Sequence, residues 1–136
     1  WDALKLDKEC LGKADVVIAD LPCSGLGVIG KKVDIKYNII DNDLEELSKI
    51  QKDMLMVVKE YVKPGGTLIY STCTINKGEN EDNVRWFLEN NKEFRIDSLK
   101  PYISTNIKCE NEGMLQMLPG VHNVDGFFIA RFVRNN

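Results

Sequence analysis

The sequence has little of several features that would assign a chain to a class at once. Its four cysteines form no CxxC pair and lack the dense spacing of a secreted disulfide scaffold. No run approaches the roughly 18 consecutive apolar residues of a membrane span, and the first ten residues lack the order of a signal peptide. The net charge of -3 gives no overall field to attract a polyanion. We therefore expect a cytoplasmic protein with free thiols, and composition alone gives no indication of RNA binding.

The length and apolar content fit a single buried core. The chain has 136 residues, of which 43% are hydrophobic, and this suffices for one domain. It begins at Trp1 with no initiator Met, which fits an excised piece of a longer protein as well as it fits processing. We expect one globular unit or a part of one.

The apolar pattern switches between strand-like and helix-like periods along the chain. The predicted strands cover 15–19, 67–72, 94–96 and 126–133, and the predicted helices cover 42–62 and 79–90. The first strand is a short continuous apolar run, typical of a parallel strand buried on both faces. The first helix is amphipathic, with Leu47, Ile50 and Leu55 on its apolar face, and residues 101–121 form a polar, loop-like stretch. The alternation predicts an α/β sheet with helical crossovers.

Two cysteines follow two of the predicted strands, at the point where each strand ends. Cys23 lies in DLPCSGLG after the first strand, and Cys73 lies in YSTCTINKGENE after the second. Ligands of α/β sheets bind outside the carboxyl ends of the strands, so both thiols and Asp20 can face one cleft. A simpler interpretation remains open, in which the cysteines are small buried hydrophobes and Pro22 only bends the chain.

Together the two segments resemble a known family. Residues 20–25 resemble the D-A-P-C-S-G motif of RNA (cytosine-5)-methyltransferases that use S-adenosylmethionine, and residues 70–81 resemble their Y-S-T-C-S…E-N-E motif. The stretch 33–37 and the tail 118–128 resemble segments of the bacterial 16S ribosomal RNA enzymes of RsmB (Sun/Fmu) type. The departures from the usual family residues are mild: Leu21 for Ala, Val33 for Pro and Thr74 for Ser.

The resemblance implies a Rossmann-like, S-adenosylmethionine-dependent methyltransferase fold, of which residues 1–136 form the C-terminal part. It implies about four strands, mostly parallel, with an antiparallel final strand. The cofactor-binding strands and the RNA-binding domain of the family are then expected upstream of Trp1. We accordingly expect the chain to be inactive alone and to self-associate through the exposed edge of the strand near Asp15.

The resemblance also implies why the site needs two thiols. Carbon 5 of cytosine is a poor nucleophile, so the Cys73 thiolate first adds to carbon 6 and makes carbon 5 able to attack a methyl group. Asp20 stabilises the ring by protonating or hydrogen-bonding a ring nitrogen. Cys23 is the residue for the final release, in which the proton leaves carbon 5 and the enzyme thiol is eliminated.

The binding residues implied for S-adenosylmethionine are Asp2, Asp20 and Pro22, and no metal is expected. The basic cluster Lys31, Lys32 and Lys36 follows the first motif and is a candidate for phosphate contacts with ribosomal RNA beside a flipped-out base, although a solvated loop explains it equally well. Two alternative functions stay open. One is methylation of transfer RNA at cytosine carbon 5, and the other is a non-catalytic, Rossmann-like RNA-binding domain.

Overall fold

A computed structural model describes residues 2–28, 41–107, 109 and 111–136. Its strands and α-helices are β1 (Ala14–Asp20), α1 (Asp41–Val58), β2 (Val62–Thr72), α2 (Glu81–Asn90), β3 (Phe94–Ile96), β4 (Met114–Met117) and β5 (Phe127–Arg134). The predicted strands and helices are confirmed, although their ends are shifted. The largest shift is at the start of β2, which begins at Val62 rather than at residue 67. The loop predicted over 101–121 is wrong in part, because β4 lies within it. Neither helix described here is long and apolar enough to cross a membrane.

The five strands form one mixed sheet in the order β1-β2-β5-β3, and β4 also pairs with β5. β1 runs parallel to β2, whereas β5 runs antiparallel to β2, β3 and β4. The first four strands therefore point in one direction and only the last is reversed. This topology confirms the expected methyltransferase-like α/β sheet with an antiparallel final strand, with α1 in the connection between the two parallel strands.

The two helices cover one face of the sheet and form the core there. Leu68 of β2 and Phe132 of β5 are fully buried against Leu55 of α1 and Phe87 of α2. The rings of Phe87 and Phe132 lie with their centroids 4.8 Å apart. Burial of each such side chain contributes roughly 1.5–3 kcal/mol, so this layer fixes the two central strands as a rigid base for the residues that follow them.

The opposite face of the sheet is covered only in part in the described residues, where Leu99, Tyr102 and Ile103 lie against it. Val16 and Ile18 of β1 are 56% and 71% exposed, and Val16 and Ile69 line an apolar groove of about 350 Å³ on this face. The prediction that the first strand is buried on both faces is therefore wrong for this chain. Helices α1 and α2 pack on one side only, and β1 is an edge strand of the described sheet. Self-association through this edge stays a prediction.

Candidate active site

The two cysteines of the paired motifs meet at the carboxyl ends of β1 and β2. The strands are parallel neighbours in which Asp20 is in register with Ser71, so both chains leave the sheet at the same edge. The Cys23 and Cys73 sulfur atoms lie 3.1 Å apart, and the backbone N–H of Cys73 donates to Cys23 Sγ at 3.3 Å. The strand order brings the thiols together as expected, whereas their chemical roles stay predictions.

Close backbone contacts hold the loop that contains Cys23 against the strand that ends in Cys73. The N–H of Gly27 donates to the Cys73 carbonyl at 3.0 Å, and the N–H of Gly126 donates to the Gly27 carbonyl at 2.7 Å. A side chain at Gly27 would overlap the carbonyl of Gly126. Glycine at position 27 therefore allows three chain segments to converge beside the two thiols.

The environment of Cys23 favours its protonated form. Burial raises the pKa of the Cys23 thiol well above its ordinary value, and the hydrogen bond with the Cys73 thiol raises it further. A thiol of this kind is a poor nucleophile at neutral pH, because only the thiolate attacks. The burial of Cys23 thus disfavours this residue as the one that forms a covalent bond.

We expect alkylation of Cys23 by iodoacetamide in the folded protein to keep accelerating above pH 9, by about tenfold per pH unit. A raised pKa delays ionisation, so the thiolate fraction is still increasing where a thiol with the ordinary pKa of 9.0 is already half ionised. Peptide mass spectrometry under single-hit conditions measures the rate from pH 7 to 10.5, with the urea-unfolded protein as control. A native rate that levels off near pH 9 would contradict the assigned environment.

Asp20 and Pro22 lie at the same edge of the sheet as the cysteines. The Asp20 carboxylate accepts a hydrogen bond from Ser71 Oγ at 2.9 Å, and both Asp20 and Pro22 are exposed. Asp2 lies before β1 in a local turn, where its carboxylate accepts from the backbone N–H of Leu4 at 3.1 Å and faces Lys5 Nζ at 3.4 Å. Asp20 is therefore held by Ser71 at the end of β1, whereas the partners of Asp2 are its sequence neighbours.

The predicted phosphate contacts lie outside the described residues. These are Lys31, Lys32 and Lys36, and their role stays a prediction. Within the described part of the chain, no group of three or more His, Cys, Asp or Glu side chains is arranged to hold a metal ion. His122 lies in a loop, where its Nδ1 accepts the N–H of Leu118 at 3.0 Å.

A buried polar network beneath the two cysteine loops is absent from the sequence-based prediction. Gln51 of α1 is fully buried, whereas Ile50, predicted to face the core, is 38% exposed. Gln51 Nε2 donates to the Pro22 carbonyl at 2.9 Å, and Gln51 Oε1 accepts from Asn83 Nδ2 at 2.9 Å. The sequence does contain a signal for the burial of Gln51, since this residue stands four residues before Leu55 on the apolar side of the helix.

A second part of this network joins the end of β2 to β4. Asn80 accepts a hydrogen bond from Thr72 Oγ1 at 2.6 Å and donates to the Thr74 carbonyl at 3.0 Å. It also donates to Gln116 Oε1 at 2.7 Å. The hydrophobic pattern of the sequence gives no indication of a role for Gln116, because this residue lies in the stretch 101–121 that is predicted to be a polar loop. These hydrogen bonds hold Thr72 and Thr74, the residues directly before and after Cys73.

Comparison with known proteins gives consistent matches over nearly the whole chain. Ribosomal RNA small subunit methyltransferase B of Shewanella oneidensis is 37% identical over 98% of this chain. The 25S rRNA (cytosine-C(5))-methyltransferase nop2 of Schizosaccharomyces pombe is 31% identical over 96% of it. The crystal structure of NSun6 from Pyrococcus horikoshii with SFG matches 100% of this chain with a TM-score of 0.80 and 28% identity.

The chain spans only a part of each of these proteins. It covers 30% of the Shewanella enzyme, 24% of the fission yeast enzyme and 34% of the Pyrococcus chain. The model of the family described as 16S rRNA methyltransferase RsmB/F matches residues 1–133. With its paired cysteine loops on adjacent parallel strands, the chain belongs to the 16S rRNA methyltransferase RsmB/F family.

Proposed function

We propose that the protein transfers a methyl group from S-adenosylmethionine to carbon 5 of a cytosine in small-subunit ribosomal RNA, through a covalent adduct with Cys73. The observation that carries the proposal is the pair of sulfur atoms 3.1 Å apart at the carboxyl ends of two parallel strands. The names of the relatives support the RNA class and the position on the base. A pair of merely structural cysteines would not need to meet at the edge where α/β sheets bind ligands.

In this proposal the Cys73 thiolate adds to carbon 6 of the cytosine ring. The electron pair of the carbon 5–carbon 6 double bond moves towards carbon 5 and ring nitrogen 3, so carbon 5 becomes nucleophilic. Asp20 donates a proton or hydrogen bond to the ring nitrogen and limits the build-up of negative charge. The Ser71 hydroxyl, 2.9 Å from Asp20, keeps that carboxyl group oriented at the strand end.

Release of the RNA requires the loss of the proton on carbon 5. As this proton leaves, the electron pair restores the double bond, and the bond between Cys73 sulfur and carbon 6 breaks. Cys23 is the proposed residue for this step, since its sulfur lies 3.1 Å from that of Cys73, and it accepts the proton as a thiolate.

The residues present fit part of a site for S-adenosylmethionine. Exposed carboxylates at Asp2 and Asp20 match the amino and hydroxyl donors of a nucleoside and the positive charge of a sulfonium group, and the exposed Pro22 offers an apolar surface. When bound, the group supplies an electrophilic methyl. SFG, present with the Pyrococcus structure, is an analogue of S-adenosylmethionine, which supports this choice of cofactor.

We further propose that residues 1–136 act as the C-terminal part of a class I methyltransferase catalytic domain in the cytoplasm. Two observations support this assignment. Val16 and Ile18 of β1 are exposed, and the chain covers only 30% of the length of the Shewanella relative. Lys31, Lys32 and Lys36 remain the proposed phosphate contacts. The chain by itself is then expected to bind the cofactor weakly and to leave RNA unmethylated.

The test uses the full-length protein with methyl-labelled S-adenosylmethionine and unmodified small-subunit ribosomal RNA. Bisulfite sequencing reads methylation at cytosine carbon 5, and a transfer RNA transcript serves as the competing substrate. We expect label at carbon 5 of a defined cytosine in the ribosomal RNA. Label only in transfer RNA, or only on a ring nitrogen or ribose, would overturn the proposed substrate or chemistry.

A further inference from the structure

Glu79 is a fully buried acidic residue that the proposed chemistry does not use. It lies just before α2 in the ENE segment and is 0% exposed. Its Oε1 accepts from the Ser24 backbone N–H and from Gln51 Nε2, each at 2.9 Å. Its Oε2 accepts from Ser24 Oγ at 2.6 Å and from Asn76 Nδ2 at 3.0 Å. Four donors from three separate segments therefore converge on one carboxyl group.

All four donors are neutral, and in the described part of the chain no basic side chain pairs with Glu79. Burial of a carboxyl group without a cation is expensive, and a well-packed apolar side chain would fill the same space at lower cost. The hydrogen bonds satisfy both oxygens, and two of the four come from Ser24, in one short loop. This pattern favours a role in holding that loop over a general role in stability.

The loop held by Glu79 is the one that contains Cys23. Ser24 follows Cys23 directly and is bound through both its backbone N–H and its hydroxyl group. Gln51, which binds Glu79, also binds the carbonyl of Pro22 on the other side of Cys23 at 2.9 Å. The residues before and after the cysteine are thus fixed by one connected set of hydrogen bonds, which restricts where its sulfur can lie.

The same network reaches the segment after Cys73. Ser24 Oγ lies 2.8 Å from Thr74 Oγ1, and Thr74 directly follows Cys73. We infer that Glu79 is a positioning residue that holds Cys23 against Cys73, so that Cys23 can act on the RNA adduct at the release step. The inference rests on the proposed function for the chemistry, but the placement of the sulfur atoms can be tested without RNA.

The near-isosteric variant Glu79→Gln tests the role in the full-length protein. An amide turns one acceptor oxygen into a donor, which then faces a donor of Ser24 or Asn76 and displaces the loop without leaving a cavity. A displacement of about 1 Å at a reacting group costs on the order of 100-fold in rate. We expect kcat to fall by about tenfold to 100-fold, RNA to remain bonded to Cys73, and KM for S-adenosylmethionine to stay within about twofold.

A double variant separates positioning from general destabilisation. If Glu79 acts through Cys23, then Glu79→Gln combined with Cys23→Ala should release RNA no more slowly than Cys23→Ala alone. A residue that only supports the fold should add its own loss to that of Cys23→Ala. Additive losses in the double variant would therefore overturn the inference. Glu89→Gln, on the exposed surface of α2, is the matched control for the charge change.

Diamide provides a readout that is independent of methylation. It takes up the two thiol hydrogens and two electrons as the Cys23–Cys73 disulfide forms, and the linked peptides are counted by mass spectrometry. We expect rapid cross-linking in wild type and Glu89→Gln, and cross-linking about tenfold slower in Glu79→Gln, at a temperature well below the melting temperature of every variant. If Glu79→Gln does not fold, Ser24→Ala removes one of the four donors and should slow cross-linking to a smaller extent.

The two readouts distinguish failure of this inference from failure of the proposed function. Wild-type protein that forms no RNA adduct, with cross-linking that still depends on Glu79, would reject the proposed chemistry and support the positioning role. An RNA adduct in wild type, with Glu79→Gln and Ser24→Ala both cross-linking at the wild-type rate, would reject the positioning role and leave the chemistry intact.

Discussion

Replacement of Cys73 by alanine is expected to reduce methylation of ribosomal RNA by the full-length protein by roughly 10⁵-fold, the scale seen when an enzyme loses its covalent nucleophile. Without the sulfur, addition to carbon 6 does not begin, so carbon 5 stays unreactive. No RNA adduct should form at any time point. Filter binding of labelled RNA methyl groups and a denaturing gel measure the two effects together.

The control for this variant is Cys10→Ala. Cys10 is also partly buried, but it lies in a turn before β1, where its sulfur is 3.8 Å from Asp7 Oδ2. Both substitutions should cost about 1 kcal/mol of stability or less, because each removes one small, incompletely buried group. Equal losses of activity in the two variants, or an active Cys73→Ala protein, would contradict the role of Cys73 as nucleophile.

The meeting of the two thiols was predictable from sequence because it depends on topology alone. Parallel neighbouring strands end at one edge of a sheet; Cys73 directly follows β2, and Cys23 comes three residues after the end of β1. The order of apolar runs therefore sufficed. The apolar runs could not indicate how much of each strand is covered by other parts of the protein. Val16 and Ile18 are as apolar as buried strand residues, but no helix lies over them in the described structure.

The short strand β4 was not predictable for a different reason. Its four residues include Gln116, and it is held by pairing with β5, with Leu115 in register with Ile129. Such a strand depends on a partner that follows about ten residues later in the chain, and local propensity carries little information about it. The prediction of a polar loop followed from composition, and tertiary pairing overrode it.

The buried network was missed because pattern reading places polar residues at the surface. Glu79, Gln51 and Asn83 are all 0% exposed, and each is satisfied by hydrogen bonds to residues far away in sequence. The local signals were the positions of Gln51 and Asn83, each four residues before a buried apolar residue of its helix. Buried polar groups of this kind are costly unless fully paired, so they concentrate where a particular geometry has to be kept. Here that geometry is the approach of one thiol to another.

Replacement of Cys23 by alanine should have an effect opposite in kind to that of Cys73→Ala. Addition and methyl transfer continue, because neither needs the Cys23 sulfur, but removal of the proton from carbon 5 slows. We expect about one methyl group per protein molecule, after which turnover falls by roughly 100-fold or more, the range of a lost general base. The RNA then remains bonded to Cys73, and a slowly migrating protein–RNA band appears on a denaturing gel.

The pattern of bands across the two variants decides among three interpretations of the cysteine pair. A band with Cys23→Ala and none with Cys73→Ala supports the assigned roles, in agreement with a raised pKa that keeps Cys23 from acting as the nucleophile. The reverse pattern would mean that the roles are exchanged. Full activity without a band in either variant would mean that both are small buried side chains, and that their 3.1 Å approach is a matter of packing.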